Sequence, residues 1–167
     1  MTGASIIVWT VRLALLCWTA AATLLFSRRA QSHFSIYRGL WTSGVLLFLA
    51  HVIAAFHYVH SWSHREAVLD TARQTEELIG WRFGEGLWFS YLFVVVWVLN
   101  VLSLWIAPER SRNRLYSTQH QILHAYLWFI AFNGAVIFEN GVTRYPGILI
   151  SLALCAMLAQ RYKLRSR

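Results

Sequence analysis

Charged side chains are scarce in this chain: they make up 13% of its 167 residues, against roughly a quarter in soluble domains. Acidic residues are scarcer still, with seven Asp and Glu against 15 Lys and Arg, for a net charge of +8 with histidine neutral. The apolar residues, 57% of the total, are gathered into long blocks instead of being spread along one helical face. That grouping excludes one aqueous core and points to spans in a bilayer. The basic residues flank the apolar blocks, where they set orientation and meet anionic head groups. No basic folded module remains once the blocks are removed, so nucleic acid is not an expected partner.

Cysteine is nearly missing. Cys17 and Cys155 both fall in apolar blocks and form neither a disulfide framework nor a CxxC metal motif, so they read as small buried apolar residues. Nucleophile and nucleotide signatures are missing too: there is no GxSxG, no Walker A and no dinucleotide fingerprint. The fragment GWRFGEG has glycines, but it precedes an apolar block and follows no strand pattern, so it reads as a flexible entry to a span. The reaction, if there is one, is not legible.

What is present is a succession of five apolar blocks, at residues 5–26, 40–59, 86–107, 119–138 and 145–159. A span needs about 20 apolar residues, so the fifth requires tilt or a locally thin bilayer. A cleaved signal peptide is the competing reading of the first block; SIIVW ahead of Arg12 and the pair Arg28–Arg29 after the block favour a retained span. Five spans place three basic segments on one side: Arg28, Arg29 and Arg38; Arg110, Arg112 and Arg114; and the tail Arg161, Lys163, Arg165 and Arg167. The expectation is an all-α integral membrane protein of a bacterial-type inner membrane, with its N-terminus outside and its C-terminus cytoplasmic. Trp41, Trp62, Trp88 and Trp105 lie near block ends, as an aromatic belt would.

The connection SHREAVLDTARQTEELIG predicts one outer amphipathic or extramembrane helix, over about 64–79. Ser63 and Glu66 fit a capping box, and Gly80 fits a helix stop. Val68, Ala72, Thr75 and Ile79 form a less polar stripe, and Arg73 and Glu77 are spaced as an i,i+4 pair. This helix is expected either to lie on the bilayer or to continue the second span into water.

Four of the seven histidines fall in HVIAAFHYVHSWSH, residues 51–64. On one continuous helix at about 100° per residue, His57, His60 and His64 share a face and His51 sits on another. With Glu85 and Glu139 at neighbouring span ends, and Asn140 to orient them, they make an outward-facing nitrogen and oxygen ligand set for Zn, Cu, Fe or Mn. Interfacial histidines without a ligand fit the same pattern, because HxxxH alone is a weak motif. A second HxxxH pair, His120 and His124, belongs to the opposite membrane face, with His33 and Glu109 near it. The haem alternative uses His51 and His124, whose depths differ by about 8 Å. The other readings are a non-catalytic subunit of a larger membrane complex, with other membrane subunits as partners beside the lipid bilayer, and a proton path through His51, Asn100 and Asn133. His51 is otherwise expected to hydrogen bond Asn100 or Asn133. Arg12, inside the first block, either pairs with Glu85 or Glu139 or snorkels outward. Asn133 and Asn140, each followed by glycine, mark a close-packed polar stripe.

Overall fold

The computed structural model describes residues 2–133 and 144–165. They form α1 (Gly3–Phe26), α2 (Phe34–Tyr58), α3 (His64–Ile79), α4 (Gly86–Ile106), α5 (Pro108–Arg114), α6 (Thr118–Phe132) and α7 (Arg144–Arg165), with no strand among the described residues. Three of these, α1, α2 and α4, are long and apolar enough to cross a membrane. α6 is described over 15 residues, and α7 carries a shorter apolar stretch at Gly147–Ala156. Glu139, Asn140 and the second half of the expected fourth block lie outside the described residues.

α1 and α2 form an antiparallel hairpin. On α1 the buried face is Ala14, Trp18, Ala21, Ala22 and Leu25, one residue per helical turn or two. On α2 it is Tyr37, Trp41, Gly44, Val45 and Ala54, and on α4 Phe93, Trp97, Val101 and Leu104. The three faces meet at Gly44. A Cβ there would lie 2.9 Å from Trp97 Cζ2 and 3.5 Å from Cys17 Cβ, so only glycine lets the Trp97 ring reach the α1–α2 seam. Trp41 stacks on Tyr37 and also meets Trp97, with ring centroids 6.0 Å and 5.1 Å away.

α2 stops at Tyr58. Ser61 and Trp62 take φ values of 48° and 60°, which a right-handed helix cannot accommodate. α3 therefore does not continue α2. It begins afresh at His64, where the Ser63 hydroxyl accepts from the Glu66 N–H at 3.2 Å, and it ends on Gly80 with φ 72°. Its buried positions are Ala67, Ala72 and Thr75, while Ile79 at the end of the expected stripe is 64% exposed. Arg73 pairs with Asp70, not Glu77; an acid placed N-terminal to its cation is the more favourable order on a helix. α3 packs on the entry to α4 through Gly84, where a Cβ would lie 2.6 Å from the Val68 carbonyl oxygen.

At the other end the α1–α2 loop is tied to α5 and the start of α6. The Gln31 N–H donates to the Tyr116 hydroxyl at 3.4 Å and Arg112 Nε donates to the Gln31 carbonyl at 3.0 Å. Arg28 lies over the Tyr116 ring, and Arg38 over Trp105 at 3.9 Å. Trp105 in turn donates to Thr42. The helix α5 sits in what the apolar pattern marked only as a connection; Pro108 in its first turn supplies the start.

Candidate functional site at the arginine-bearing end

The break at Ser61–Trp62 decides the fate of His57, His60 and His64. Their shared face assumes one helix through residue 64, and the helix ends six residues earlier. Each ring finds its own neighbour. His57 Nδ1 accepts from Trp62 Nε1 at 3.3 Å, and the His60 ring meets the edge of Phe56. His64 Nδ1 lies 2.9 Å from the Tyr91 hydroxyl on α4. Among the described residues no three His, Cys, Asp or Glu side chains gather as a ligand group. Glu85 stands just before α4 with no side-chain capping bond, and Glu139 lies outside the described residues.

His51 binds neither Asn100 nor Asn133. Its Nδ1 meets the Ile7 carbonyl on α1 at 3.0 Å. Asn133 donates to the Phe129 carbonyl one turn back, and Asn100 accepts from Trp41 Nε1 at 2.9 Å. These bonds do not link the three groups into a route. Nor are His51 and His124 brought to one depth. The His124 ring packs on Trp41, centroids 4.6 Å apart, and His51 follows Trp41 by about 15 Å along α2. A bis-histidine haem needs both at one level. Arg12 lies over the Trp9 ring at 5.5 Å.

The second histidine pair does converge. Ser117 caps α6 by accepting from the His120 N–H, which fixes the helix start and sets His120 and His124 one turn apart on the same face. That face meets the first turns of α2. The Tyr37 hydroxyl lies 3.1 Å from His124 Nε2 and 3.3 Å from His120 Nε2, and the two Nε2 atoms are 3.0 Å apart. Tyr37 is fully buried and His124 is 2% exposed, while His120 is half-buried. His124 Nδ1 is buried without a hydrogen-bond partner among the described residues, an arrangement that costs about 1–3 kcal/mol. His33 is not part of this group; its ring contacts Ser32 and the Arg29 carbonyl in its own turn.

His120 also reaches a cleft of about 390 Å³ between the end of α4, α5 and the start of α6. Asn100, Ser103, Arg110, Ser111, Arg114 and Ser117 contribute its polar wall, and no acidic side chain is among the residues lining it. Arg110 and Arg114 are one turn apart on α5 and exposed, with no ion pair among the described residues.

Sequence reasoning grouped His120 and His124 with His33 and Glu109, named Trp41 only as an interfacial aromatic and Asn100 only as a partner for His51, and missed Tyr37. One signal was available. Tyr37 and Trp41 are i,i+4 at the start of the second apolar helix, and two helices separated by one span start on the same face. No protein-family model, curated protein or solved structure matches the chain.

Proposed function

We propose that this chain is a five-span integral membrane protein, N-terminus outside, that binds an anionic ligand in the cleft at its cytoplasmic face. The outward surfaces of α1, α2 and α4 support the membrane reading: these helices are long and apolar enough to cross a bilayer, and Leu16, Leu46 and Leu99 on them are 58%, 60% and 59% exposed. The partner on those faces is the lipid bilayer. α6 and α7 supply the fourth and fifth spans, and the three arginine-bearing segments then share the cytoplasmic side.

The observation that carries the ligand reading is the pairing of Arg110 and Arg114 on the wall of an acid-free cleft. Guanidinium groups bind phosphate and carboxylate in bidentate fashion, and the Asn100 amide nitrogen adds a donor on the same wall, while the Ser103 and Ser111 hydroxyls already donate to the Asn100 and Ser103 carbonyls. A phosphate group on a lipid and a phosphate free in solution present the same chemistry. The test is calorimetric titration of the detergent-purified chain with inorganic phosphate and, separately, with a short-chain phosphatidylglycerol. Binding that disappears in the R110A/R114A double variant is the expected result, and the two titrants tell a soluble ligand from a head group. Equal heats in wild type and variant would remove the reading. Orientation is checked separately by placing cysteine at Gln74 and at Ser32: an impermeant thiol reagent added to intact cells should label the first and spare the second.

A further inference from the structure

The three contacts among Tyr37, His120 and His124 exceed what hydrogen bonding can supply. A ring nitrogen has one in-plane site, holding either a proton or a lone pair, and each Nε2 here is within 3.3 Å of two partners. Any placement of protons leaves at least one of the three contacts without a directed bond. The same triangle suits an ion. Donor atoms separated by 3.0, 3.1 and 3.3 Å can all lie about 2.0–2.1 Å from a metal seated about 1 Å off their plane, the usual range for zinc with nitrogen and oxygen ligands. The resulting angles at the ion are about 95–107°, three corners of a four-coordinate site with one position open.

We propose that the Tyr37 phenol oxygen and the Nε2 atoms of His120 and His124 hold a divalent first-row transition ion, Zn²⁺ or Cu²⁺. Two imidazoles and a phenolate form a donor set suited to those ions. The i,i+4 spacing on α6 presets the two nitrogens, and Trp41, stacked on Tyr37 and in tilted contact with His124, holds the third donor and one ring in place. Binding converts the phenol to phenolate and releases its proton to solvent, and the half-buried His120, which also lines the cleft, marks the route by which ion and proton pass. The inference depends on neither the anion reading nor the number of spans.

The test loads the full chain, purified in mild detergent with a tag free of histidine, with Zn²⁺ or Cu²⁺ alone and counts ions per chain after removal of excess. One ion per wild-type chain is expected, and the Cu²⁺ form should show a phenolate-to-metal charge-transfer absorption. Tyr37→Phe should lose that absorption and bind at least about tenfold more weakly. His120→Gln and His124→Gln should lose the ion. Unfolding profiles of the metal-free variants verify that each still folds, and Tyr37→Phe, which changes one atom, keeps the test valid if a histidine variant does not. A combined His57→Ala, His60→Ala, His64→Ala variant should bind as wild type does. A wild-type chain that takes up no ion after reloading would overturn the proposal. So would unchanged stoichiometry in folded His120→Gln and His124→Gln, or loss of the ion only in the outer variant.

Discussion

The two ends of α2 hold the same kind of residue in opposite states. At its start, Tyr37 and Trp41 are fully buried and collect His120 and His124 from α6. At its end, about 30 Å away along the helix, His57 and His64 are exposed and each is occupied by a different aromatic neighbour. Both ends carry an HxxxH pair, so the motif does not distinguish them. What differs is the backbone beneath. His120 and His124 sit on an uninterrupted capped helix, whereas a left-handed turn at Ser61 and Trp62 lies between His60 and His64. An i,i+4 spacing brings two histidine rings together only where the helix runs through it.

The comparison can be broken most severely at Trp41. Trp41→Ala removes the ring on which Tyr37, Trp97 and His124 all pack and leaves Asn100 Oδ1 without its Trp41 donor. A loss of about 3–5 kcal/mol is expected, read as a lowered denaturation midpoint in detergent. At the α2–α3 end the sensitive position is a glycine, not a histidine. Gly84→Ala drives a methyl group against the backbone oxygen of Val68, which cannot rotate away, and should cost about 1–3 kcal/mol; faster amide exchange in α3 with α4 unaffected would localise it. Tyr37→Phe keeps the packing but removes the hydroxyl shared by two ring nitrogens. It should destabilise the metal-free chain by about 1–2 kcal/mol, and a neutral result would mean that the histidines satisfy each other unaided. Smallest of all, alanine at His57 or His64 should change stability by no more than about 0.5 kcal/mol per site. A larger loss at either would show that these histidines are also structural.

Much of this contrast was within reach of the sequence, and its limits have identifiable causes. Helix α3 was legible to the residue because its signals are local: Ser63 caps it and Gly80 ends it in a left-handed conformation. The apolar blocks became helices α1, α2 and α4 for a similar reason, since length and hydropathy are summed along the chain. The turn at Ser61–Trp62 was not legible. Neither residue favours a positive φ, and the turn is held by backbone bonds such as Trp62 N–H to the Phe56 carbonyl at 2.9 Å. Reading His60 and His64 as helical neighbours followed from that gap. The partner of His51 was missed because a backbone carbonyl on another helix, here that of Ile7, leaves no mark in side-chain identity.

By itself the sequence determined the helical class, the apolar segments, the capped helix α3 and the placing of arginine beside the apolar blocks. Each depends on neighbours along the chain or on composition, and hydropathy and capping act over a few residues. The tertiary structure alone decided which histidines meet. It brought residues 83 and 87 positions apart, Tyr37 with His120 and with His124, to hydrogen-bonding distance. It also set Arg110 and Arg114 on the wall of a cleft reached by His120. That choice rests on helix packing, in which Gly44 and the α1 alanines let α1, α2 and α4 close on one another while the first turns of α2 receive α6. Such complementarity is a property of surfaces that exist only after the helices have formed.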